Sequence, residues 1–191
     1  MDAAKIADIK VLKLMNETTA IALEYGILRR TELTSTARVV MFIDFGYSKT
    51  SICLGSLQNK SGKIITEFHD RNLGVRDMDW ILYEYYCKML EEKCDEDPRN
   101  NKKVRIRILQ GLEKQRKKLS SDDEGTINLE YLFMDEDLYH TIKLKDYLKL
   151  VAPVLKKFEA LIRKSYNYLK GKKYKLHSVE IVGGGSRIPI I

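Results

Sequence analysis

The chain has 191 residues, 44% hydrophobic and 32% charged, with a formal net charge of +7. This is ordinary globular composition, enough to bury the core of one domain or of one lobe of a larger one, and no apolar run reaches the roughly 18 residues of a membrane span. Cys53, Cys87 and Cys94 form no CxxC pair and only His69, His140 and His177 accompany them, which argues against a disulfide framework or a zinc site and fits a reducing compartment.

The first ten residues alternate charge and alanine, so no secretory signal is expected there. Residues 10–15 read as a short strand, and residues 17–28 as a helix with Asn16 as candidate cap. Residues 39–57 read as two strands joined by a tight turn at Phe45-Gly46-Tyr47-Ser48. A turn at Asn59-Lys60-Ser61-Gly62 leads to a third strand over residues 63–69. From residue 77 to 94 the apolar residues Met78, Ile81, Leu82, Tyr85, Tyr86 and Met89 recur at helical spacing. Asp97-Pro98-Arg99-Asn100 breaks the pattern. Val104, Ile108, Leu112 and Leu119 then stripe a second helix whose other faces are basic.

Residues 126–132 alternate like a half-buried strand, Asp135-Glu136-Asp137 suits a hairpin turn, and a partner strand runs to Ile142. Leu144, Leu148, Val151, Leu155, Phe158, Ile162, Tyr166 and Leu169 stripe one long helix, with a kink expected at Pro153 and an end at Gly171. A last strand covers residues 179–182 and runs into Gly183-Gly184-Gly185-Ser186-Arg187. Alternating helices and strands predict an α/β fold. Residues 74–150 read as an insertion between two halves of a sheet domain, residues 1–73 and 151–191.

Three segments can carry chemistry. In Phe42-Ile43-Asp44-Phe45-Gly46-Tyr47-Ser48 an apolar strand ends in an acid and a glycine turn follows. Turn amides can cradle phosphate oxygens, and a strand-end carboxylate can hold Mg2+ through water; a plain hairpin with an acidic turn has the same pattern. In Val182-Gly183-Gly184-Gly185 the glycines permit close backbone approach to a ligand and the helix start expected after them offers free N–H groups, although such strand-to-helix connections also occur without a ligand. In the basic helix, Arg116 could stack on a planar base and Glu113 could accept from ribose hydroxyls. A solvated charged face reads the same way, as does the net positive charge, which could equally attract nucleic acid, an acidic membrane or an acidic partner.

In this order, the three segments resemble the second lobe of the nucleotide-binding domain of heat-shock-seventy proteins, within the actin and sugar-kinase superfamily. Ala3-Ala4-Lys5-Ile6-Ala7, Asn16-Glu17-Thr18-Thr19-Ala20, Glu24-Tyr25-Gly26, Leu73-Gly74, Asp77-Met78-Asp79 and Leu119-Ser120-Ser121 extend the resemblance over nearly the whole chain. The departures matter. Tyr47-Ser48-Lys49 stands where common members carry further glycines and a threonine, and Ser51 stands where an aspartate is usual. Together with Gly74-Val75-Arg76-Asp77 and Leu150-Val151-Ala152-Pro153, these are similar to the large heat-shock one-ten branch.

The resemblance implies an actin-like (ribonuclease-H-like) ATPase lobe, a mixed sheet flanked by helices with an inserted helical and small-sheet subdomain. It implies ATP/ADP with Mg2+ as cofactors. Gly46, Tyr47 and Ser48 would face the phosphates, Asp44 the magnesium shell, and Glu17 the catalytic water. Glu113, Arg116 and Ser120 would touch adenosine on one side, and Gly183, Gly184 and Arg187 on the other, with Gly74 beside them. It further implies a cytoplasmic nucleotide-exchange factor and holdase, partnered by a smaller heat-shock-seventy chaperone and by unfolded clients, with no nucleic acid and no membrane. The first lobe and the substrate-binding domain would lie outside this chain, leaving it not catalytically competent alone and its parent a slow ATPase. An active heat-shock-seventy chaperone ATPase is the alternative.

Overall fold

A computed structural model describes residues 1–191. After a one-turn helix α1 (Asp2–Ile6), the elements run α2 (Glu17–Leu28), β1 (Arg38–Phe45), β2 (Thr50–Gln58), β3 (Ser61–Asp70), α3 (Val75–Cys94) and α4 (Lys102–Leu119). They continue as β4 (Glu124–Phe133), β5 (Glu136–Lys143), α5 (Leu144–Leu150), α6 (Ala152–Gly171) and β6 (Leu176–Val182). No helix is long and apolar enough to cross a membrane.

The continuous apolar run of β1 marks a strand buried on both faces, and β1 lies inside a four-stranded sheet of order β3-β2-β1-β6. It is antiparallel to β2 and parallel to β6, so the sheet is mixed. Val39, Met41, Ile43 and Phe45 alternate onto one face and join Ile52 and Leu54 in the main core, which continues into Val154, Phe158 and Leu169 of α6. Phe45 and Phe158 pack with ring centroids 4.8 Å apart. Val40 and Phe42 point the other way, against Ala22 of α2, with Cys53 and Leu57. The α/β class and the mixed sheet flanked by helices are those expected.

Everything from α3 to α5 lies in the chain between β3 and α6. Within it β4 and β5 pair only with each other. Ile127, Leu138 and Ile142 of this hairpin share the core with Leu82 and Tyr86 of α3 and with Ile108, Leu112 and Leu119 of α4. One buried polar knot locks the helices to the hairpin. Gln115 Nε2 donates to the Tyr86 hydroxyl at 2.9 Å and to the Gly125 carbonyl at 3.0 Å. The same hydroxyl lies 3.3 Å from His140 Nδ1.

The structure differs from the sequence reading at five places. Residues 10–15 form no strand and pair with neither sheet; Ile9, Leu12 and Leu14 are exposed. Asn16 sits at the helix start with extended backbone, yet its side chain makes no capping bond. The hairpin turn falls at Met134 and Asp135, both left-handed (φ 52° and 60°), one residue earlier than expected. Pro153 does not kink one long helix. The helix stops at Leu150 and α6 starts afresh, with Pro153 in its first turn, where a missing N–H costs nothing. After the glycine run only a short 3-10 turn forms, Gly184–Arg187.

Burial holds the His140 imidazole below its ordinary value. Above about pH 6.5 both folded and unfolded chains carry the neutral ring. Below it the unfolded chain takes the proton first, so stability falls as pH drops from that value toward the folded one. Urea midpoints measured between pH 7.5 and 5 are expected to decline in this window, and His140→Asn is expected to flatten the decline. An unchanged slope in the variant assigns the effect to other groups.

Candidate functional site

The carboxyl ends of β1 and β6 lie side by side, with Asp44 paired to Val182. Crevices outside strand carboxyl ends are where open α/β sheets bind ligands. Asp44 ends the α2-facing side of β1, half-buried, directly opposite Ser51 of β2. The turn between these strands is closed by one bond, Gly46 N–H to the Lys49 carbonyl at 3.0 Å. The amides of Tyr47, Ser48 and Lys49 bond to nothing in the chain. Successive unpaired amides in a turn can cradle an anion.

Two glycine segments close on this turn. Gly183 has φ +91°, and a Cβ there would stand 2.5 Å from both Asp44 Oδ1 and the Phe45 carbonyl oxygen. A Cβ on Gly74 would stand 2.4 Å from the Tyr47 carbonyl oxygen. That space is needed because the first amides of α3 bond back to the turn: Val75 N–H to the Gly46 carbonyl at 3.1 Å and Arg76 N–H to the Tyr47 carbonyl at 2.7 Å. Asp77 secures the same corner by accepting from Gly74 N–H at 2.9 Å.

Charge around Asp44 is organised by α2. Glu17 opens that helix, and its carboxylate takes an ion pair from Lys49. The Thr18 hydroxyl donates to Glu67 of β3, anchoring the helix start to the sheet. Burial first, then the nearby Glu17 charge, push the Asp44 carboxyl up, while Lys49 pulls it down. Asn16, Glu17, Thr18, Lys49, Ser51 and Glu67 contribute to the lining of a cleft of about 430 Å3. A cavity of about 490 Å3 between α2 and the β2–β3 turn is lined by Ala22, Leu23, Ile27 and Leu33 and contains no carboxylate. Arg30, Lys60 and Lys63 also line it, but neither the β1–β2 turn nor the glycines after β6 reach it.

On α4, Arg116 is not a free stacking group. Its Nε and Nη2 meet Asp79 of α3 at 2.8 and 3.4 Å, with side chains only 13% and 7% exposed. Little of the guanidinium face is left for a base. Burial pushes the Asp79 carboxyl up and the Arg116 bond opposes it. Glu113 is exposed and paired with Lys117 at 2.6 Å, and the Ser120 hydroxyl donates to the Arg116 carbonyl at 3.1 Å. Burial first, then the Asp79 charge, push the Tyr47 phenol up, while Arg116 pulls it down. Gly184 and Arg187 are exposed beyond Gly183.

The structure thus gathers Glu17, Asp44, Gly46, Ser48 and Gly183 around one strand end, and Glu113, Arg116 and Ser120 along one helix, with Tyr47 and Gly74 at the junction. The Lys49–Glu17 and Arg116–Asp79 pairs escaped the sequence reading. A carboxylate, a turn with unpaired amides and a glycine with no room for a Cβ fit the phosphates of a nucleotide. No group of three or more acidic, histidine or cysteine side chains forms a metal cage. Asp44 suits Mg2+ held chiefly by water and phosphate, the usual preference of that ion.

Comparison with known proteins points the same way. The family model described as "Hsp70 protein" matches residues 1–191. Heat shock 70 kDa protein 16 of Arabidopsis thaliana is 36% identical over 193 residues, covering 100% of this chain and 25% of that protein. The 97 kDa heat shock protein of Mesocentrotus franciscanus is 32% identical over 192 residues, covering 99% of the chain and 22% of that protein. Heat shock 70 kDa protein 4 of Homo sapiens is 31% identical over 194 residues, 100% and 23% respectively. The chain therefore spans about a quarter of the relatives it matches.

The glycine run supplies an internal control. Gly183→Ala places a side chain at positive φ and against Asp44, and is expected to cost about 1–3 kcal/mol or more. Gly184, with nothing within 4 Å of its Cβ position, should accept alanine within about 0.5 kcal/mol. Thermal denaturation of the two variants compares them. Equal losses would mean that Gly183 is not held against Asp44.

Proposed function

Because the chain belongs to the Hsp70 family, we propose that it is the ATP/ADP-binding second lobe of a heat-shock one-ten-type chaperone. The parent protein is then a cytoplasmic nucleotide-exchange factor and holdase for a smaller heat-shock-seventy partner, with unfolded clients held by regions outside this chain. The observation that carries nucleotide binding is the meeting of Asp44, the three unpaired turn amides and Gly183 at the carboxyl ends of β1 and β6. The branch assignment is supported by Tyr47-Ser48-Lys49 in the turn, by Gly74-Val75-Arg76-Asp77, and by likeness to a 97 kDa heat shock protein.

In this reading the amides of Tyr47, Ser48 and Lys49 receive phosphate oxygens, and Asp44 orients water around the metal. Mg2+ held near Asp44 would supply positive charge to the phosphates. Gly183 lets the backbone approach the nucleotide. Glu113 and Ser120 lie on the helix facing the nucleoside, and the Arg116–Asp79 pair stiffens that helix against α3.

Phosphoryl transfer needs positioned charge on both sides of the phosphates and an oriented water. This lobe holds one side, so it does not hydrolyse ATP alone. In the parent protein, hydrolysis is slow because Tyr47, Ser48 and Lys49 stand where flexible glycines and a threonine are usual and Ser51 stands where an acid is usual.

Two measurements on the full-length protein test this. Added to a heat-shock-seventy chaperone loaded with labelled ADP, it should accelerate release of the label; no acceleration overturns the exchange role. In single-turnover hydrolysis Tyr47→Gly should raise the rate by about tenfold or more, since small displacements of reacting groups cost up to about a hundredfold. An unmodified protein already as fast as an ordinary heat-shock-seventy chaperone would favour the active-chaperone alternative.

A further inference from the structure

Lys49 is the one residue of the phosphate turn whose side chain brings a charge of its own. The register explains where that charge goes. Asp44 and Ser51 are directly opposed across β1 and β2, so their side chains share a face. Thr50, between Lys49 and Ser51, is buried and turned the other way, its hydroxyl donating to the Leu73 carbonyl at 2.7 Å. Lys49 therefore returns to the face of Asp44 and Ser51, and its ammonium reaches Glu17 across the cleft. It is the only cation acting on Asp44, whose other charged neighbour is Glu17. Arg71 and His69 lie on the rim of the same cleft.

Stability does not account for this pair. The Lys49 and Glu17 side chains are 42% and 64% exposed, and exposed ion pairs contribute little. The chain has a different need there. Two carboxylates, Glu17 and Asp44, face the place where a nucleotide would bring several more negative charges, and unneutralised like charges at such distances repel strongly.

We propose that Lys49 is a built-in counter-cation of the phosphate site: its ammonium rests on Glu17 when the site is empty and transfers to the phosphates of a bound nucleotide. This rests on the nucleotide-binding reading above and adds to it a residue that sets metal dependence. A lysine head on a four-carbon stem can make the exchange without backbone movement. A phosphate group carrying more than one negative charge competes favourably with a single carboxylate for the ammonium. Glu17 is released by the same event. The consequence is that nucleotide affinity depends less on Mg2+ than it would with an uncharged side chain at this position.

The test is calorimetric titration of ADP and ATP into the full-length protein, in excess Mg2+ and in EDTA, for the natural sequence, Lys49→Thr and Lys49→Arg. Removing the ammonium is expected to weaken binding in EDTA by about tenfold to a hundredfold, the worth of one charge-assisted hydrogen bond. In Mg2+ the loss should be a few-fold at most, and Lys49→Arg should retain most of the EDTA affinity. Lys49 is partly exposed and makes no core contact, so melting temperatures of the three proteins should agree. The proposal is overturned by an EDTA-to-Mg2+ affinity ratio that is the same with lysine and threonine, or by tighter EDTA binding in Lys49→Thr, which would mean that the ammonium stays on Glu17. If the natural protein binds no nucleotide in either condition, the nucleotide-lobe reading itself falls. Binding with an unchanged ratio removes only the role of Lys49.

Discussion

The architecture of this lobe depends on one close approach of backbones. The β1–β2 turn, the start of α3 and the residues after β6 meet within contact distance, and at Gly74, Gly183 and Gly185 no β-carbon fits between them. Gly185 packs under Phe45 and Val75, the residues that carry the two neighbouring segments into the main core. Hydrogen bonds from Val75 and Arg76 use up the turn carbonyls. The amides of Tyr47, Ser48 and Lys49 have no partner in the chain. The geometry of the turn is set by the packing of three segments and not by the turn sequence alone.

The charges follow from where the backbones place them. Asp44 is half-buried because the chain after β6 crosses beside it, and desolvation raises the cost of its negative charge. Glu17 adds to that cost. Lys49 offsets part of it from an exposed position, where the ion pair can rearrange. The Arg116–Asp79 pair behaves differently. It is nearly buried, held by two contacts of an arginine fork, and joins α3 to α4. Removing one partner of such a pair strands a buried charge, which typically costs about 3–5 kcal/mol. One pair is built to stay and the other is able to change partners.

Much of this was legible in the residues. The apolar run of β1 broken by Asp44 and followed by glycine identifies a buried strand ending at a polar site. The glycines after Val182 mark a second close approach. What the sequence left open had a physical origin in each case. Alternation alone could not say which way Lys49 points, because the answer depends on where the turn ends; the Asp44–Ser51 pairing decides it. Arg116 reads as a free cation on a basic helix, and its partner lies 37 residues away on another helix. Proline is compatible with a kink or with a helix start, and at Pro153 only the stop at Leu150 distinguishes them. Residues 10–15 read as a short apolar strand, yet they pair with neither sheet, because local apolar content does not specify a partner.

The site is also mechanically joined to the region inserted between β3 and α6. Helix α3 begins on the phosphate turn through two backbone bonds, and Tyr47 carries the turn toward Asp79 and Arg116. Asp79 in turn fixes α4, and Gln115 on α4 is bonded to Tyr86 and to the β4 backbone. The Arg116–Asp79 and Gln115 links are short, directional contacts between packed elements, whereas the exposed Tyr47 side chain acts on Asp79 and Arg116 only through its charge environment. Helix α3 also belongs, through Met78, Leu82 and Tyr86, to the same core as Phe45 and Ile52 of the sheet, so the strand end and the region between β3 and α6 are held together by packing as well as by the Val75 and Arg76 bonds.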